Sequence, residues 1–297
     1  MSNALPIQVG ILQTIPAHAR YLVCQCHPEA QPQTVLRALA LATDGVHIVV
    51  GLGASLVQQL GANIAGLKPF TGIHNAQVKL PATPADLLIW LRGDDRGELL
   101  ARSRQLETLL APAFRIESVT DAFNHDGGRD LTGYEDGTEN PEGDEALAAA
   151  FVPAGSAAPA GSSFLAIQRW HHQFASFEAM PKQQQDHTFG RERMGNEELD
   201  DAPASAHVKR TAQENFSPEA FVLRRSMPWT EGNQGGLVFT AFGHSFDAFE
   251  ALLGRMSGAE DGMTDALFSF TEPETGAYFW CPPLHQGQLD LRSVGLL

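Results

Sequence analysis

Cysteine is scarce in this sequence. Its 297 residues include only three cysteines, at positions 24, 26 and 281. Cys24 and Cys26 alternate on a predicted strand and share one face, which is a poor geometry for a disulfide. The Cys24-x-Cys26-His27 segment lacks the second Cys/His cluster that would complete a zinc site. An odd number of cysteines is typical of a reducing compartment, so we expect buried thiols and a cytoplasmic protein.

Basic residues and long apolar runs are also few. The 20 lysines and arginines are outnumbered by 35 acidic residues, which gives a net charge of −15. This charge disfavours binding to nucleic acid and to anionic membrane surfaces. No apolar run approaches the roughly 20 residues of a membrane-spanning helix, and the N-terminal Met-Ser-Asn-Ala-Leu-Pro does not resemble a signal peptide. The sequence predicts neither a nucleic-acid partner nor a membrane partner.

The apolar residues form two similar series of strands and helices. They make up 43% of the chain, which is sufficient for a packed core. In the first half, their periodicity predicts strand, helix, strand, strand, helix, strand, with one further short helix at 54–61. The members of this series are 20–26, 32–42, 47–51, 86–92, 96–110 and 114–119. This is the order of a ferredoxin-like unit, an antiparallel sheet with helices on one face.

The second half repeats this pattern after a segment rich in proline, alanine, glycine and serine. That segment, 153–162, is a predicted linker. After it come predicted strands at 163–170, 220–226, 236–242 and 278–280, and helical regions at 172–189 and 246–256. The sequence therefore predicts an α+β protein with two duplicated ferredoxin-like domains, at 1–152 and 163–297.

One acidic loop, residues 130–141, connects the last strand of the first half to an Ala-rich helix predicted at 142–151. Gly133 and Gly137 permit backbone conformations that other residues resist. Asn140 is a candidate N-cap, and the proline after it suits the first helical position. Composition alone favours a solvated turn here, because Gly, Asp, Asn and Pro are common turn residues.

The segment Gly133-Tyr-Glu-Asp136-Gly137, followed by Thr-Glu-Asn-Pro, resembles the Gly-x-x-Asp-Gly signature of the dye-decolourising peroxidases, a family of haem enzymes. The resemblance implies one haem b per subunit, bound mainly by the C-terminal domain. It implies a peroxidase that reduces hydrogen peroxide and oxidises bulky dyes and phenols through a ferryl haem. Asp136 would be the general base, and Gly137 would lie beside the cofactor. A homo-oligomer, dimer or larger, is expected, and docking into an encapsulating shell stays open.

A second segment resembles the part of this family that carries the haem-ligating histidine. Here Ser205-x-His207 follows an acidic run and a short proline-containing turn. The resemblance implies that His207 is the axial ligand, with a carboxylate on its other nitrogen that makes the iron more electron-rich. Asp265 is the preferred partner, while Glu260 and Asp261 remain alternatives.

Two arginine segments complete the resemblance. Arg224 and Ser226 match an Arg-x-Ser strand segment of the family, which implies that Arg224 lies beside the distal aspartate and that Ser226 faces the cofactor, while Arg225 points elsewhere. Arg224 would stabilise the charge that develops as peroxide is cleaved. Arg191, in Phe-Gly-Arg, would bind a haem propionate, with Arg193 as the alternative.

Two other functions remain open from the sequence. A haem-binding or haem-handling protein with incidental peroxidase activity would keep His207 and Arg191 but would not need Asp136 beside Arg224. A metal-dependent hydrolase would use His207 with the acidic run at 197–201, which is more simply interpreted as a solvated stretch.

Overall fold

The computed structural model describes residues 6–296 as an α+β protein with a mainly antiparallel sheet. The strands are β1 His18–Cys26, β2 Ile48–Leu52, β3 Leu87–Gly93, β4 Phe114–Phe123, β5 Ser163–His172, β6 Leu223–Arg224, β7 Met227–Glu231, β8 Gln234–Gly243, β9 Thr271–Pro273, β10 Ala277–Cys281, β11 Leu284–His285 and β12 Gln288–Leu289. The helices are α1 Gln33–Ala42, α2 Ala54–Gln59, α3 Arg96–Leu110, α4 Gly143–Ala150, α5 Phe174–Glu178, α6 Lys182–Phe189, α7 His207–Arg210 and α8 Asp247–Met256. Short 3-10 helices occur at Val9–Ile11, Gln213–Asn215, Ala266–Ser269 and Arg292–Val294.

The first half contributes four adjacent strands in the order β4-β1-β3-β2. β1 lies in the middle, where Tyr21 is opposite Trp90 of β3 and Thr120 of β4. Helix α3 begins after Asp95, whose carboxylate accepts a hydrogen bond from Glu98 N at 2.8 Å. This N-cap satisfies one of the free N–H groups of the first turn.

The second half contributes the order β10-β5-β8-β7. The two sets of strands meet at both edges, because Ala122 of β4 is opposite Trp229 of β7 and Leu52 of β2 is opposite Trp280 of β10. Eight strands therefore form a closed ring. Short β6 extends β8 beyond the ring, and β9 extends β5.

Alternation along the strands separates two apolar cores. Tyr21, Trp90 and Phe242 point into the ring and belong to one buried cluster. Residues of the opposite parity, such as Leu22 and Ile89, pack under the helices. The strands are apolar on both faces because each face is covered. The cavity of the protein lies in this second core, between the sheet and the helices.

Most predicted elements are confirmed within one or a few residues, and α3 has the predicted bounds. The strand predicted at 220–226 is wrong in extent. The ladder runs from Leu223 to Glu231 in one register, and it is interrupted at residues 225–226 between β6 and β7. The predicted N-cap at Asn140 is also wrong, because α4 begins at Gly143 and Glu142 occupies the cap position.

The predicted free cysteines are confirmed for all three positions. Cys24 and Cys281 are buried, whereas Cys26 is half-buried. Burial raises the pKa of the Cys24 thiol to about 12, so it stays protonated at neutral pH. Among residues 6–296, no helix is both long enough and apolar enough to span a membrane.

Candidate active site

A cavity lies between strands β5 and β8 on one side and helices α7 and α8 on the other. The space between its protein atoms is about 1000 Å³, which includes the part that is open to solvent. Apolar and aromatic side chains form most of its wall, namely Trp170, Phe189, Val222, Leu237, Phe239, Phe249, Leu252, Leu253, Met256, Leu267 and Phe270. An apolar cavity with a few converging polar groups is typical of a small-molecule or cofactor site.

A second, more polar cavity adjoins the first. The two share seven lining residues, which are Tyr134, Glu135, Asp136, Phe189, His207, Thr211 and Arg224. The outer cavity has a lining of charged and amide side chains that includes Arg191, Asn196 and Lys209. Together, the two cavities have an apolar interior and a polar mouth, which suits a flat apolar group with charged substituents at one edge.

His207 lies on the helix side of this site and contacts Asp265. The Nδ1 of His207 is 2.7 Å from Oδ2 of Asp265, whose side chain is fully buried. The other oxygen, Oδ1, accepts a hydrogen bond from Leu267 N at 2.9 Å and caps the 3-10 helix there. Because a carboxylate only accepts, the proton of His207 lies on Nδ1, and the lone pair of Nε2 is left for a ligand.

The two alternative partners of His207 are engaged elsewhere. Asp261 accepts two hydrogen bonds from the guanidinium of Arg210, at 2.7 and 2.8 Å. These bonds lower the pKa of Asp261 to about 2. Glu260 pairs with Arg255 at 2.8 Å. The structure thus brings Asp265, rather than either of its neighbours, to His207.

Asp136 and Arg224 meet on the sheet side of the site. Oδ1 of Asp136 lies 3.8 Å from Nη1 of Arg224, which is an ion pair longer than a hydrogen bond. Within residues 6–296, the Arg224 guanidinium has no other ion pair or hydrogen bond. The pair is therefore close enough for electrostatic attraction and leaves donors and acceptors available for a ligand.

The acidic loop is fixed by glycine geometry and by Asn140. Gly133 and Gly137 have φ values of +87° and +78°, in the left-handed region that favours glycine. The Asn140 side chain accepts from Arg224 N at 2.8 Å and donates to Arg224 O at 3.1 Å. Asn140 thereby joins the loop to β6 and holds Asp136 near the arginine. This contact, rather than helix capping, occupies the Asn140 amide.

Arg225 and Ser226 point away from this pair. The Arg225 guanidinium donates to the carbonyl oxygens of Ile11 and Leu12 at 3.0 and 2.7 Å. Burial and the nearby charge of Arg92 lower its pKa to about 10. The Ser226 hydroxyl accepts from Thr240 N at 3.4 Å, and it is not among the described residues that line either cavity.

Of the two candidate propionate arginines, Arg191 lines the outer cavity and Arg193 does not belong to the described lining. Arg191 is held by Glu139 at 2.5 Å and by the carbonyl oxygen of Asn196 at 3.0 Å. Arg193 is exposed, and its guanidinium lies over Gly133. Gly137 also lines the outer cavity.

A buried polar network that the sequence patterns did not indicate lines the inner, apolar cavity. Nε2 of His172 is 2.9 Å from Asp130, and Nδ1 is 2.7 Å from the Thr271 hydroxyl. Burial alone would raise the pKa of Asp130, but the hydrogen bond and charge of His172, with bonds from Thr132, give a net lowering. The strand predicted at 163–170 is two residues too short, because β5 extends to His172. The alternation of Gln168, Trp170 and His172 could have indicated this network, because alternate residues lie on one face of a strand.

The acidic run at 197–201 does not assemble around His207. Glu198 pairs with Lys209, and Asp201 lies 3.6 Å from His187. Within the described part of the chain, no group of three or more His, Cys, Asp or Glu side chains could hold a metal ion. The contacts of His207 therefore do not favour the hydrolase alternative.

Comparisons with known proteins point to one family. The model of the C-terminal part of Dyp-type peroxidases matches residues 127–286. The dye-decolorizing peroxidase of Rhodococcus erythropolis is 31% identical over 248 residues, which cover 80% of this chain and 72% of that protein. The Brevibacterium linens enzyme of the same name is 30% identical and covers 80% and 67%.

Solved structures show the same relation. A dye-decolorizing protein from Vibrio cholerae superposes with a TM-score of 0.85 and 26% identity, covering 97% of this chain and 99% of that one. A DypB variant from Rhodococcus jostii, solved in complex with heme, shares the fold with a TM-score of 0.82 and 24% identity, covering 92% and 94%. The chain therefore belongs to the family of dye-decolourising peroxidases.

Proposed function

We propose that the protein is a haem-dependent peroxidase that reduces hydrogen peroxide and oxidises bulky organic reductants such as dyes and phenols. The observation that carries the proposal is the pairing of two arrangements around one cavity. His207 is oriented by Asp265 on the helix side, and Asp136 lies 3.8 Å from Arg224 on the sheet side. A protein that only binds or transports haem would not need the second arrangement.

The residues of the site fit haem b, one per subunit. His207 keeps Nε2 free to bind iron because its Nδ1 is bonded to Asp265. The apolar wall of the inner cavity suits the porphyrin, and Arg191 at the polar mouth suits a propionate, since a guanidinium pairs well with a carboxylate. Gly137, whose φ of +78° favours glycine, lines the same mouth. When bound, haem supplies the redox chemistry of peroxide reduction and substrate oxidation.

Asp136 is the general base in this proposal. Its carboxylate would accept a proton from one oxygen of hydrogen peroxide and return it to the other oxygen. Its exposed fraction of 24% leaves the side chain accessible from the cavity. Arg224 stabilises the negative charge that develops on the outer oxygen, because its guanidinium donors are not committed to protein acceptors.

Asp265 acts through His207 in this proposal. A carboxylate at Nδ1 increases the basicity of the imidazole and fixes its tautomer and orientation. This favours the oxidised states of the iron that a peroxidase needs over simple oxygen binding. Ser226 remains a predicted cofactor contact, although its hydroxyl is occupied by Thr240 N in this structure.

We further propose that the two halves of the chain are ferredoxin-like units, at 1–152 and 163–297, joined by 153–162. The strand orders β4-β1-β3-β2 and β10-β5-β8-β7 support this, since each central pair is flanked in the same way. Free cysteines support a cytoplasmic location. A homo-oligomer stays a prediction.

The test is a visible absorption spectrum of the haem-reconstituted protein, followed by rapid mixing with stoichiometric hydrogen peroxide. We expect a histidine-ligated ferric spectrum that changes rapidly. In Asp136→Ala the spectral change should slow by roughly 10²- to 10⁴-fold, the usual contribution of a positioned general base. Glu142→Gln, which changes an exposed carboxylate just after the same loop and outside the described lining of both cavities, is the matched control and should react at the wild-type rate.

The outcomes separate the hypotheses. If the wild-type protein takes up no haem, the proposed function is wrong. If haem binds and peroxide reacts equally fast in wild type and Asp136→Ala, the base is not Asp136. If haem binds but peroxide gives no rapid change even in the wild type, the haem-binding alternative is favoured.

A further inference from the structure

The inner cavity concentrates unpaired hydrogen-bond donors on its sheet wall. Within residues 6–296, Nε2 of Gln168, Nε1 of Trp170 and Nε of Arg224 are buried without a hydrogen-bond partner, and all three residues line this cavity. Buried polar atoms in folded proteins are nearly always paired, because an unmade bond costs free energy. Three unpaired donors in one cavity indicate a ligand rich in acceptor oxygens or an anion.

Gln168 is the least expected of these donors. It is 2% exposed and stands near the middle of β5. Its neighbours on the same strand face are Ala166 and Trp170, and its cross-strand partner is Phe239 of β8. A glutamine in such surroundings does not gain from burial, so its amide needs a partner.

The sheet register places Gln168 on the same wall as Arg224. Arg224 is opposite Ala241, and Ala241 is opposite Ala166, two residues before Gln168 on β5. With about 4.8 Å between strands and about 3.3 Å per residue, the Cα atoms of Arg224 and Gln168 are roughly 12 Å apart. Two long side chains at this separation can contact one small ligand from two directions.

Other buried donors of the chain do not share this placement. Thr240 is fully buried with an unpaired hydroxyl, but it lies on the opposite face of β8, across from Ile167, and does not belong to the described lining of either cavity. The unpaired amide of Gln168 is thus distinguished by its position on the cavity wall.

We propose that Gln168 is a further ligand-binding residue, whose side-chain amide donates a hydrogen bond to the oxygen or anion bound on the sheet side of the cofactor, alongside Arg224. This inference rests on the proposed haem site and assigns a contact within it. Gln168 transfers no proton; its role is to bind and orient the ligand. Trp170 Nε1 is a second, more rigid donor on the same wall.

The experiment uses haem-loaded protein and fluoride as the probe, because bound fluoride accepts hydrogen bonds strongly. The dissociation constant is measured by absorbance titration for wild type, Gln168→Leu and Thr240→Val. Loss of one bond to an anion should weaken fluoride binding by roughly 10- to 150-fold in Gln168→Leu. Thr240→Val removes an unpaired buried hydroxyl from the same pair of strands and should leave fluoride binding unchanged.

A second readout is the C–O stretching frequency of the reduced protein with carbon monoxide. Removing a donor near the bound ligand should raise this frequency in Gln168→Leu and leave it unchanged in Thr240→Val. If Gln168→Leu does not fold, Gln168→Met decides, since it keeps the length of the side chain and has no N–H or O–H donor. Fluoride binding should then weaken to a similar degree.

The results that overturn the inference are specific. Wild-type fluoride affinity and carbon monoxide frequency in Gln168→Leu, or wild-type fluoride affinity in Gln168→Met, would mean that Gln168 is satisfied by water alone. Failure of the wild-type protein to bind haem would overturn the inference together with the proposed function. That case is recognised before any variant is made.

Discussion

Replacing Asp265 with asparagine tests how the buried carboxylate controls His207. Asparagine has nearly the same shape, and its Oδ1 can still accept from Leu267 N, as Asp265 does at 2.9 Å. Its NH₂ group would face His207 Nδ1, which is 2.7 Å from Asp265 Oδ2. Two donors cannot share a hydrogen bond, so the His207 proton should move to Nε2, the atom that must bind iron.

The magnitude follows from this change of tautomer and loss of charge. Residues that hydrogen-bond to a metal ligand typically increase the metal affinity 10- to 100-fold. This corresponds to about 1.4 to 2.7 kcal/mol of binding free energy. The carboxylate stabilises ferric more than ferrous haem, so Asp265→Asn should also raise the reduction potential. Each tenfold preferential loss of ferric affinity corresponds to about 60 mV.

The assays are haem titration by absorbance and spectroelectrochemical titration of the loaded protein. Asp261→Asn is the matched control, because Asp261 is nearby but pairs with Arg210 rather than with His207. It should leave both the haem affinity and the potential at wild-type values. A wild-type potential and affinity in Asp265→Asn would refute the argument, as would an equal shift in both variants.

Two further predictions concern stability. Asn140→Ala removes both side-chain bonds to the Arg224 backbone and should lower the free energy of unfolding by about 1–3 kcal/mol, measured by denaturant titration; exposed Asn124→Ala is the control, and equal effects would contradict the assignment. The Asp261 pKa is lowered to about 2 by Arg210, so its contribution is present above the ordinary carboxyl pKa of about 3.9 and is lost as the pH falls toward 2. Asp261→Asn should therefore reduce the melting temperature at pH 6 and approach the wild-type value near pH 2, and a difference independent of pH would exclude this charge effect.

The regular elements were predictable because they depend on local patterns. Helix α3 has an N-cap at Asp95 and apolar residues at helical spacing, and both signals lie within the segment itself. The strand at 220–226 was misjudged because its extent depends on pairing with β8, which follows it in the chain; at the interruption, the Ser226 hydroxyl accepts from Thr240 N, fourteen residues away. Periodicity contains no information about such a contact.

The site residues also divide into those that the sequence indicated and those that depend on contacts between distant parts of the chain. The family resemblance identified His207, Asp136 and Arg224, and the structure brings them to one cavity. Composition and spacing alone did not distinguish Asp265 from Asp261, since the choice depends on which carboxylate Arg210 occupies. The buried pair of His172 and Asp130 was missed because its partners are 42 residues apart in sequence.

A contact between the two halves of the chain organises the site. Asp136 belongs to the loop that follows the first four strands, whereas Arg224 and His207 belong to the second half. Asn140 joins the two through both backbone groups of Arg224. Strand β6 is held by its pairing with β8, and the loop is held by bonds such as Asp136 N to Gly128 O, but the Asn140 amide links one directly to the other. It therefore contributes to the distance between the base and the charge-stabilising arginine, so a change at Asn140 should slow the reaction with peroxide even though this side chain is not among the described lining of either cavity.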